Sequence, residues 1–218
     1  MNRLILKYSY PVTAVIMLIF AWVIYSRISR GWSEVIVLAI AAAIVWLVGV
    51  PVFIYLWPRI TVRGFKGAFV KRGLGGGPIA VNSLYAEPSI SSASASTGSI
   101  MGTGTDDVLY VGGWLDVRKE PQILHVPDMA GRYYSVQFTD PSSSANFAYV
   151  GKRTTGTAAE EFLLSGPHWK GTVPAGMTQI SAPHGVALVV GRVFVENESD
   201  QPVAYALAKQ IQLAPLPS

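Results

Sequence analysis

The chain has 218 residues, a formal net charge of +4, only 14% charged residues and no cysteine. Soluble domains carry about 25% charged residues, so the composition excludes a protein that is soluble along its whole length. The absence of cysteine excludes disulfides and thiolate chemistry. The positive charge does not indicate nucleic-acid binding, because no basic stripe is interleaved with aromatic residues.

Two long apolar runs occupy the N-terminal part of the chain. The first covers Tyr8 to Tyr25, and the second covers Val35 to Trp57 without a charged residue. About 20 apolar residues in a helix cross a bilayer core, so both runs are candidate membrane spans. Basic residues precede the first run, but it has no Ala-x-Ala cleavage site, which favours a membrane anchor over a cleaved signal peptide. We predict a hairpin of two antiparallel transmembrane helices over residues 1–58.

Aromatic and basic residues lie near the ends of both runs. Amphipathic rings prefer the membrane interface, and lysine or arginine there binds lipid headgroups. The predicted membrane contacts are Tyr8, Tyr10, Trp22, Trp32, Trp57, Arg59, Arg63 and Lys66. An even number of spans places the N-terminal tail and the large C-terminal region on the same side, and the positive charges favour the cytoplasm for both.

Residues 59–105 are predicted to form a basic juxtamembrane segment and a linker. Residues 73–77 read Gly-Leu-Gly-Gly-Gly, and residues 89–98 are almost entirely Ser, Ala, Thr and Gly. Such segments bury little area and are typical of loops. The glycine run is not a phosphate loop, because no Gly-Lys-Ser/Thr follows it.

Residues 106–218 have the pattern of a β-rich domain. Runs rich in β-branched and aromatic residues alternate with glycine and proline turns, which is typical of an antiparallel sandwich or barrel. Residues 203–210 have helical composition and predict a short C-terminal helix. The predicted strands cover residues 108–117, 122–126, 132–138, 146–150, 161–165, 178–180 and 186–195.

The last predicted strand contains an arginine among large apolar residues. Alternation places Arg192 on the same face as Phe194. A guanidinium at such a position must be paired or reach water. Two interpretations stay open: Arg192 pairs with Asp107, Asp116 or Asp140 to fix the sheet, or it anchors a ligand.

Eight short motifs in this region occur in the same order and with the same spacing as in a known protein family. Together they resemble the bacterial domain of unknown function numbered 1254, over about Asp106 to Leu216. They are Thr105–Tyr110, Trp114–Pro121, Val126–Asp128, Gly131–Tyr134, Gly151–Gly156, Gly166–Gly171, Pro174–Gly176 and Gly191–Arg192.

The resemblance implies a β-rich domain that is commonly secreted or membrane-anchored, and it implies no reaction. It also implies a following companion domain, of unknown function numbered 1214, which we expect to start about where this sequence stops, at Ser218. We therefore expect the companion on a separate polypeptide. Because relatives are often exported, we expect a multi-pass protein of the bacterial inner membrane with an extracytoplasmic β domain.

Residue patterns for catalysis and metal binding are weak. His125, His168 and His184 are not at metal-ligand spacing, and the sequence contains no nucleophile motif, so we predict no metal, cofactor or catalytic residue. Residues 151–156 offer side-chain donors between two glycines, which suits an anion or an ordinary loop. The candidate ligand or structural polar cluster consists of Asp107, Asp116, Lys152, Arg153, Thr154 and Arg192.

Two functions are compatible with these patterns. The favoured one is a non-catalytic accessory subunit of a membrane protein assembly, with lipids and other subunits as partners. Small residues in the second span, such as Ala39, Ala43 and Gly49, would let another helix approach closely. The alternative is a membrane-anchored cell-envelope enzyme or carrier that acts on a hydrophobic or glycan substrate.

Overall fold

The computed structural model describes residues 18–19, 22–23, 25–26, 31–74, 76–90 and 105–217. The chain divides into two compact units, residues 1–58 and 59–218. Helix α1 (Trp32–Arg72) begins in the first unit and ends in the second.

Within the first unit, α1 exposes apolar side chains all around its axis. From Ile36 to Trp57 its large apolar side chains, apart from the less exposed Leu38, are 36–71% exposed. A helix that is apolar on every side needs an apolar environment to cover it. Among the described residues, α1 is the one helix long and apolar enough to cross a membrane, which agrees with the second predicted span.

The predicted two-helix hairpin is not confirmed. Most of the first apolar run, with the predicted contacts Tyr8 and Tyr10, lies outside the described residues. The described residues of that run are helical, namely Leu18, Ile19, Trp22, Val23 and Tyr25. Within the described residues, α1 is the helix that is able to span a membrane.

Helix α1 continues past the predicted end at Trp57 to Arg72. Residues 59–72 were assigned to a juxtamembrane segment because of their basic charge. Their apolar residues Val62, Phe65 and Phe69 recur at helical spacing and pack in a hydrophobic cluster of the second unit. Burial of this stripe explains why the helix continues.

The second unit contains two β-sheets and a short helix. The first sheet has the strand order β1-β2-β8-β4-β5, and the second has the order β7-β6-β3-β9. All pairings are antiparallel except that of β6 with β7. The elements are β1 (Leu84–Ala86), β2 (Val108–Asp116), β3 (Gln122–Val126), β4 (Tyr134–Thr139), β5 (Asn146–Gly151), β6 (Glu160–Ser165), β7 (Thr178–Ser181), β8 (Val186–Phe194), α2 (Gln201–Ala208) and β9 (Gln212–Pro215).

The main core combines residues from both sheets. Leu109, Val136 and Val189 of the first sheet and Leu124 and Phe162 of the second are at most 1% exposed and belong to one cluster. The prediction of a β-rich domain with a short C-terminal helix is confirmed. Its strands form two sheets, and the parallel pair β6–β7 departs from the predicted antiparallel arrangement. The sequence missed β1 and β9, which are three and four residues long.

A second cluster covers the other face of the first sheet. Trp114 on β2 packs with Phe69 at the end of α1 and with Leu74 and Ile79 just after it. At Gly112 an added Cβ would lie 2.7 Å from Leu74 Cδ1, so a side chain there would displace Leu74 from its close approach to β2. Residues 59–90, predicted as juxtamembrane segment and linker, therefore supply part of the folded second unit.

A partly buried ion pair links the β3–β4 connection to the start of α2. Arg132 Nη2 donates to Asp200 Oδ1 at 2.7 Å, and Arg132 Nη1 donates to the Phe194 carbonyl at 2.8 Å. Asp200 also accepts the Glu196 backbone N–H at 2.9 Å. The hydrogen bonds from Arg132, followed by that from Glu196, lower the pKa of Asp200 to about 2.

Replacement of Asp200 by asparagine should lower the free energy of unfolding by about 1–2 kcal/mol near pH 7, because Arg132 loses its charged partner. The folded-state pKa of Asp200 is lowered, so the wild-type protein keeps this stability above pH ~4 and loses it as the pH falls towards 2. Chemical denaturation at pH 7 and pH 3 measures both effects. The exposed Glu198, changed to Gln, is the matched control and should change stability by less than about 0.5 kcal/mol. Equal losses in the two variants would contradict the prediction.

Candidate functional site

The structure separates the residues of the predicted polar cluster. Asp107 precedes β2 and Asp116 ends it, so the nine-residue strand puts them about 30 Å apart. Lys152, Arg153 and Thr154 lie in the turn after β5, and Arg192 lies on β8. These six residues do not form one site.

Asp116 is held by contacts that fix the end of β2. Its carboxylate accepts from Arg118 Nη2 at 2.6 Å and from Arg118 Nε at 2.9 Å, and Lys66 Nζ lies 3.8 Å away. The side-chain hydrogen bond from Arg118 is the main cause that lowers the pKa of Asp116. Lys66, a predicted membrane contact, therefore also pairs with a carboxylate of the β domain.

The donors of the turn after β5 are used within the protein. Lys152 Nζ donates to the Gly131 carbonyl at 2.6 Å, and Thr154 Oγ1 donates to the Gly151 carbonyl at 3.2 Å. The Arg153 guanidinium lies 5.5 Å from the centre of the Tyr133 ring. These contacts fit the ordinary-loop interpretation, and anion binding at this turn stays a prediction.

Arg192 has none of its expected aspartate partners, since it forms no ion pair with a carboxylate of the described residues. Its Nη1 donates to Gln137 Oε1 at 3.4 Å, and its guanidinium lies 5.7 Å from the centre of the Tyr110 ring. Gln137 Nε2 in turn donates to Asn146 Oδ1 at 2.9 Å, and Asn146 Nδ2 donates to the Tyr149 hydroxyl at 2.7 Å. A half-buried polar network across β8, β4 and β5 thus replaces the predicted ion pair.

A cleft that the sequence did not indicate lies beyond the end of β2. It measures about 620 Å³ and is lined by Val117–Glu120, Gly166–Lys170, Pro183 and His184. Arg118, Lys119 and Lys170 outnumber its one carboxylate, Glu120. With Arg118 paired to Asp116, Lys119 and Lys170 leave a small excess of positive charge over Glu120, next to the apolar surfaces of Trp169 and two prolines.

Beside this cleft a buried aspartate holds a histidine. His184 Nδ1 lies 2.9 Å from Asp140 Oδ2, and Asp140 is 3% exposed. Burial by itself would raise the pKa of Asp140, but hydrogen bonds from Ser142, Ser143 and His184 outweigh it and lower the pKa to about 2. The ionised carboxylate can only accept, so Nδ1 carries a hydrogen and Nε2 is left for the cleft.

The Asp140–His184 pair resembles part of a catalytic triad, but the serine is on the wrong side. Ser142 Oγ lies 3.2 Å from His184 Nδ1, the same nitrogen that meets Asp140. In a triad the histidine meets the nucleophilic serine through its other nitrogen. Ser142 therefore stabilises the orientation of the pair and is not activated by it as a nucleophile. Within the described ranges no three His, Cys, Asp or Glu side chains group as metal ligands.

The pair was missed because its members are 44 residues apart in the sequence. Antiparallel pairing of β4 with β8 sets Thr139 opposite Leu188. Asp140 directly follows β4 and His184 precedes β8 by two residues, so the register brings both turns together. The sequence signal that could have revealed the pair is a polar residue just outside each of two strands, β4 and β8, which are neighbours in the sheet.

The sequence of the second unit matches the family described as "Protein of unknown function (DUF1254)" over residues 81–215, more than half of the chain. The chain belongs to the DUF1254 family. The match confirms the resemblance and begins before the expected Asp106, at the residues that lead into β1.

Two solved structures are similar to parts of this DUF1254 chain. The VPA0106 protein from Vibrio parahaemolyticus is 32% identical, with 51% of this chain and 28% of that chain covered and a TM-score of 0.48. A putative uncharacterized protein from Burkholderia cenocepacia is 12% identical, with 62% and 34% covered and a TM-score of 0.36. The chain thus spans about a third or less of these proteins. No curated protein matches it.

The DUF1254 domain also buries a carboxyl group beside its first strand. Glu87 is 5% exposed, and its Oε2 has no hydrogen-bond partner in the part of the chain that is described. The Glu87 backbone N–H donates to the Tyr110 carbonyl at 2.8 Å, which fixes the residue at the sheet edge. Burial raises the pKa of this carboxyl to about 7.

The raised pKa makes stability depend on pH through Glu87. The contribution is complete below pH ~4.5, where Glu87 is protonated in both states, and it is lost as the pH rises through about 7. The wild-type protein should lose about 1–3 kcal/mol over this interval through Glu87. Glu87→Gln should remove that part of the pH dependence and be the more stable variant at pH 8, as denaturation curves at pH 4.5 and 8 will measure. Glu198→Gln should keep the wild-type dependence, and a Glu87→Gln profile parallel to the wild type would refute the assignment.

Proposed function

We propose that the chain is a non-catalytic accessory subunit of a bacterial membrane protein assembly. Helix α1 docks in the membrane, and the DUF1254 domain covers a partner. The observation that carries the proposal is the uncovered apolar surface of α1 between Ile36 and Trp57. Lipid or the helices of another subunit would cover such a surface.

The composition of α1 supports contact with a neighbouring helix. Ala39, Ala43 and Gly49 lie along the exposed segment, and nothing lies within 4 Å of a Cβ built at Gly49. Small residues let two backbones approach closely inside a membrane, where packing drives association.

The β domain supports the same proposal through the use of its polar side chains. Asp116, Lys152 and Arg192 make contacts inside the domain that stabilise its strands and turns. Side chains engaged in this way suit a covering domain better than an active site. The partner includes, in this proposal, a companion domain carried by a separate polypeptide.

We place the DUF1254 domain on the extracytoplasmic side of the inner membrane. The chain contains no cysteine, so a single Glu198→Cys substitution provides one reactive thiol at an exposed position. An impermeant maleimide should label this thiol in intact cells. Labelling only after lysis would place the domain in the cytoplasm.

One observation favours the second candidate, a membrane-anchored enzyme or carrier. Asp140 fixes His184 so that Nε2 is available beside a 620 Å³ cleft. A histidine oriented by a carboxylate is a common general base, and a cleft of this size accepts an organic substrate.

Crosslinking in the membrane distinguishes the two candidates. A photoreactive residue is placed in turn at positions 41, 42, 43 and 44 of the full chain, expressed at its natural level. An accessory subunit should give one discrete protein adduct from one face of α1. A monomeric enzyme should give lipid adducts at all four positions, which would overturn the proposal. The same probe at Glu198 is the control for random collision.

A further inference from the structure

The cleft beyond β2 has walls that the structure holds in fixed positions. The Val117 backbone N–H donates to the Gly185 carbonyl at 2.8 Å, which ties the turn that carries His184 to the end of β2. Gly185 has φ +68°, and an added Cβ would lie 2.5 Å from Arg118 Cγ. The arginine stem therefore packs directly on the turn, which keeps Arg118 and His184 at one side of the cleft.

The buried Asp140 fixes the orientation of the imidazole. It accepts from Ser142 Oγ at 2.6 Å and from Ser143 Oγ at 2.8 Å, and it lies 2.9 Å from His184 Nδ1. With Nδ1 engaged, the other ring nitrogen is the one that a ligand can meet. When the ring is protonated, Nε2 donates to an anion while Nδ1 keeps its contact with Asp140.

The remaining cations of the cleft add to the same preference, against the one lining carboxylate, Glu120. Lys119 and Lys170 each bring three donors, and Arg118 uses only Nε and Nη2 on Asp116. Several cationic donors around one space match a group with several charged oxygens. The indole of Trp169 supplies an apolar wall for the part of a ligand next to that group.

We propose that this cleft is a binding site for a phosphate group on an organic molecule, held by His184, Lys119 and Lys170. The volume exceeds that of a free inorganic ion, so the ligand is a phosphate ester whose organic part lies against Trp169. Its source is either a soluble ester or the headgroup of an anionic lipid. The proposal is independent of whether the chain has a partner subunit.

Binding is tested on the full chain with two probes. Glycerol 3-phosphate is titrated into the detergent-solubilised protein by calorimetry, and nanodiscs of phosphatidic acid are compared with nanodiscs of phosphatidylcholine. Saturable binding of the soluble probe alone supports a free ester. A preference for phosphatidic acid nanodiscs alone supports a lipid headgroup. Saturable binding of neither probe overturns the proposal.

Variants connect the binding to this cleft. His184→Gln and the double variant Lys119→Ala/Lys170→Ala should each weaken binding about tenfold or more, since each loses charge-assisted hydrogen bonds. Lys209→Ala is the matched control, because Lys209 lies over Tyr205 on α2 and should leave affinity unchanged. Unfolding curves establish that each variant is folded, and Lys119→Gln/Lys170→Gln replaces any variant that is not. Affinity that is unchanged in the cleft variants, or lowered equally by Lys209→Ala, overturns the assignment.

Discussion

Replacement of Trp114 by alanine should lower the free energy of unfolding of the β domain by about 3–5 kcal/mol. Its side chain is 2% exposed and is the centre of the cluster with Phe69, Leu74 and Ile79. The ring centres of Phe65 and Trp114 are 6.4 Å apart, so the loss includes aromatic contacts with the end of α1. Denaturation of the full chain in mild detergent measures the effect.

A second variant at position 114 separates the effect of packing from that of polarity, and a variant at Trp169 serves as the control. Trp114 Nε1 is buried and has no acceptor among the described residues, so phenylalanine removes an unsatisfied donor together with part of the ring. Trp114→Phe should therefore be clearly less destabilising than Trp114→Ala. Trp169→Ala, at a half-buried tryptophan beside the cleft, should be destabilising by less than about 2 kcal/mol. A Trp114→Ala effect no larger than that of Trp169→Ala would show that this cluster does not stabilise the domain.

Replacement of both Ile44 and Val48 by arginine should remove α1 from the bilayer. Each arginine near the centre of a spanning helix disfavours insertion by about 2.5–3.5 kcal/mol. Both positions are more than half exposed, so neither substitution disrupts packing inside the protein. The readout is labelling of a cysteine introduced at Ala42 by a water-soluble maleimide in sealed membranes.

The cysteine at position 42 should stay unlabelled in the otherwise native chain and become labelled in the double-arginine chain. Val203→Arg is the control, because Val203 is 55% exposed on the short helix α2 of the β domain. This change should leave the cysteine protected. Rapid labelling of position 42 in the native chain would mean that α1 lies in water.

The sequence predicted those parts of the fold that local patterns determine. The uncharged run from Val35 to Trp57 indicated an apolar helix, and alternating β-branched residues indicated the strands of the two sheets. The continuation of α1 to Arg72 was missed because basic residues between Val62 and Phe69 interrupt the apolar pattern of a stripe that is buried in the cluster around Trp114. The position of the helix end therefore depends on a tertiary contact that no local sequence pattern shows.

The candidate site could not be predicted because its residues meet through strand register. Asp140 and His184 are in turns that are individually unremarkable, and only the pairing of β4 with β8 joins them. Arg192 lies within β8, inside the strand predicted over residues 186–195. Its partner proved to be the neutral Gln137, since the adjacent strand β4 presents an amide there and not a carboxylate.

The native mass of the chain recovered from its own membrane tests the proposed function most directly. The full chain is tagged at its natural expression level, extracted in mild detergent and weighed by native mass spectrometry. We expect a defined complex with at least one other polypeptide, which dissociates when Ala39, Ala43 and Gly49 are changed to leucine. Recovery of the chain only as a monomer of 23.5 kDa with bound lipid would contradict it.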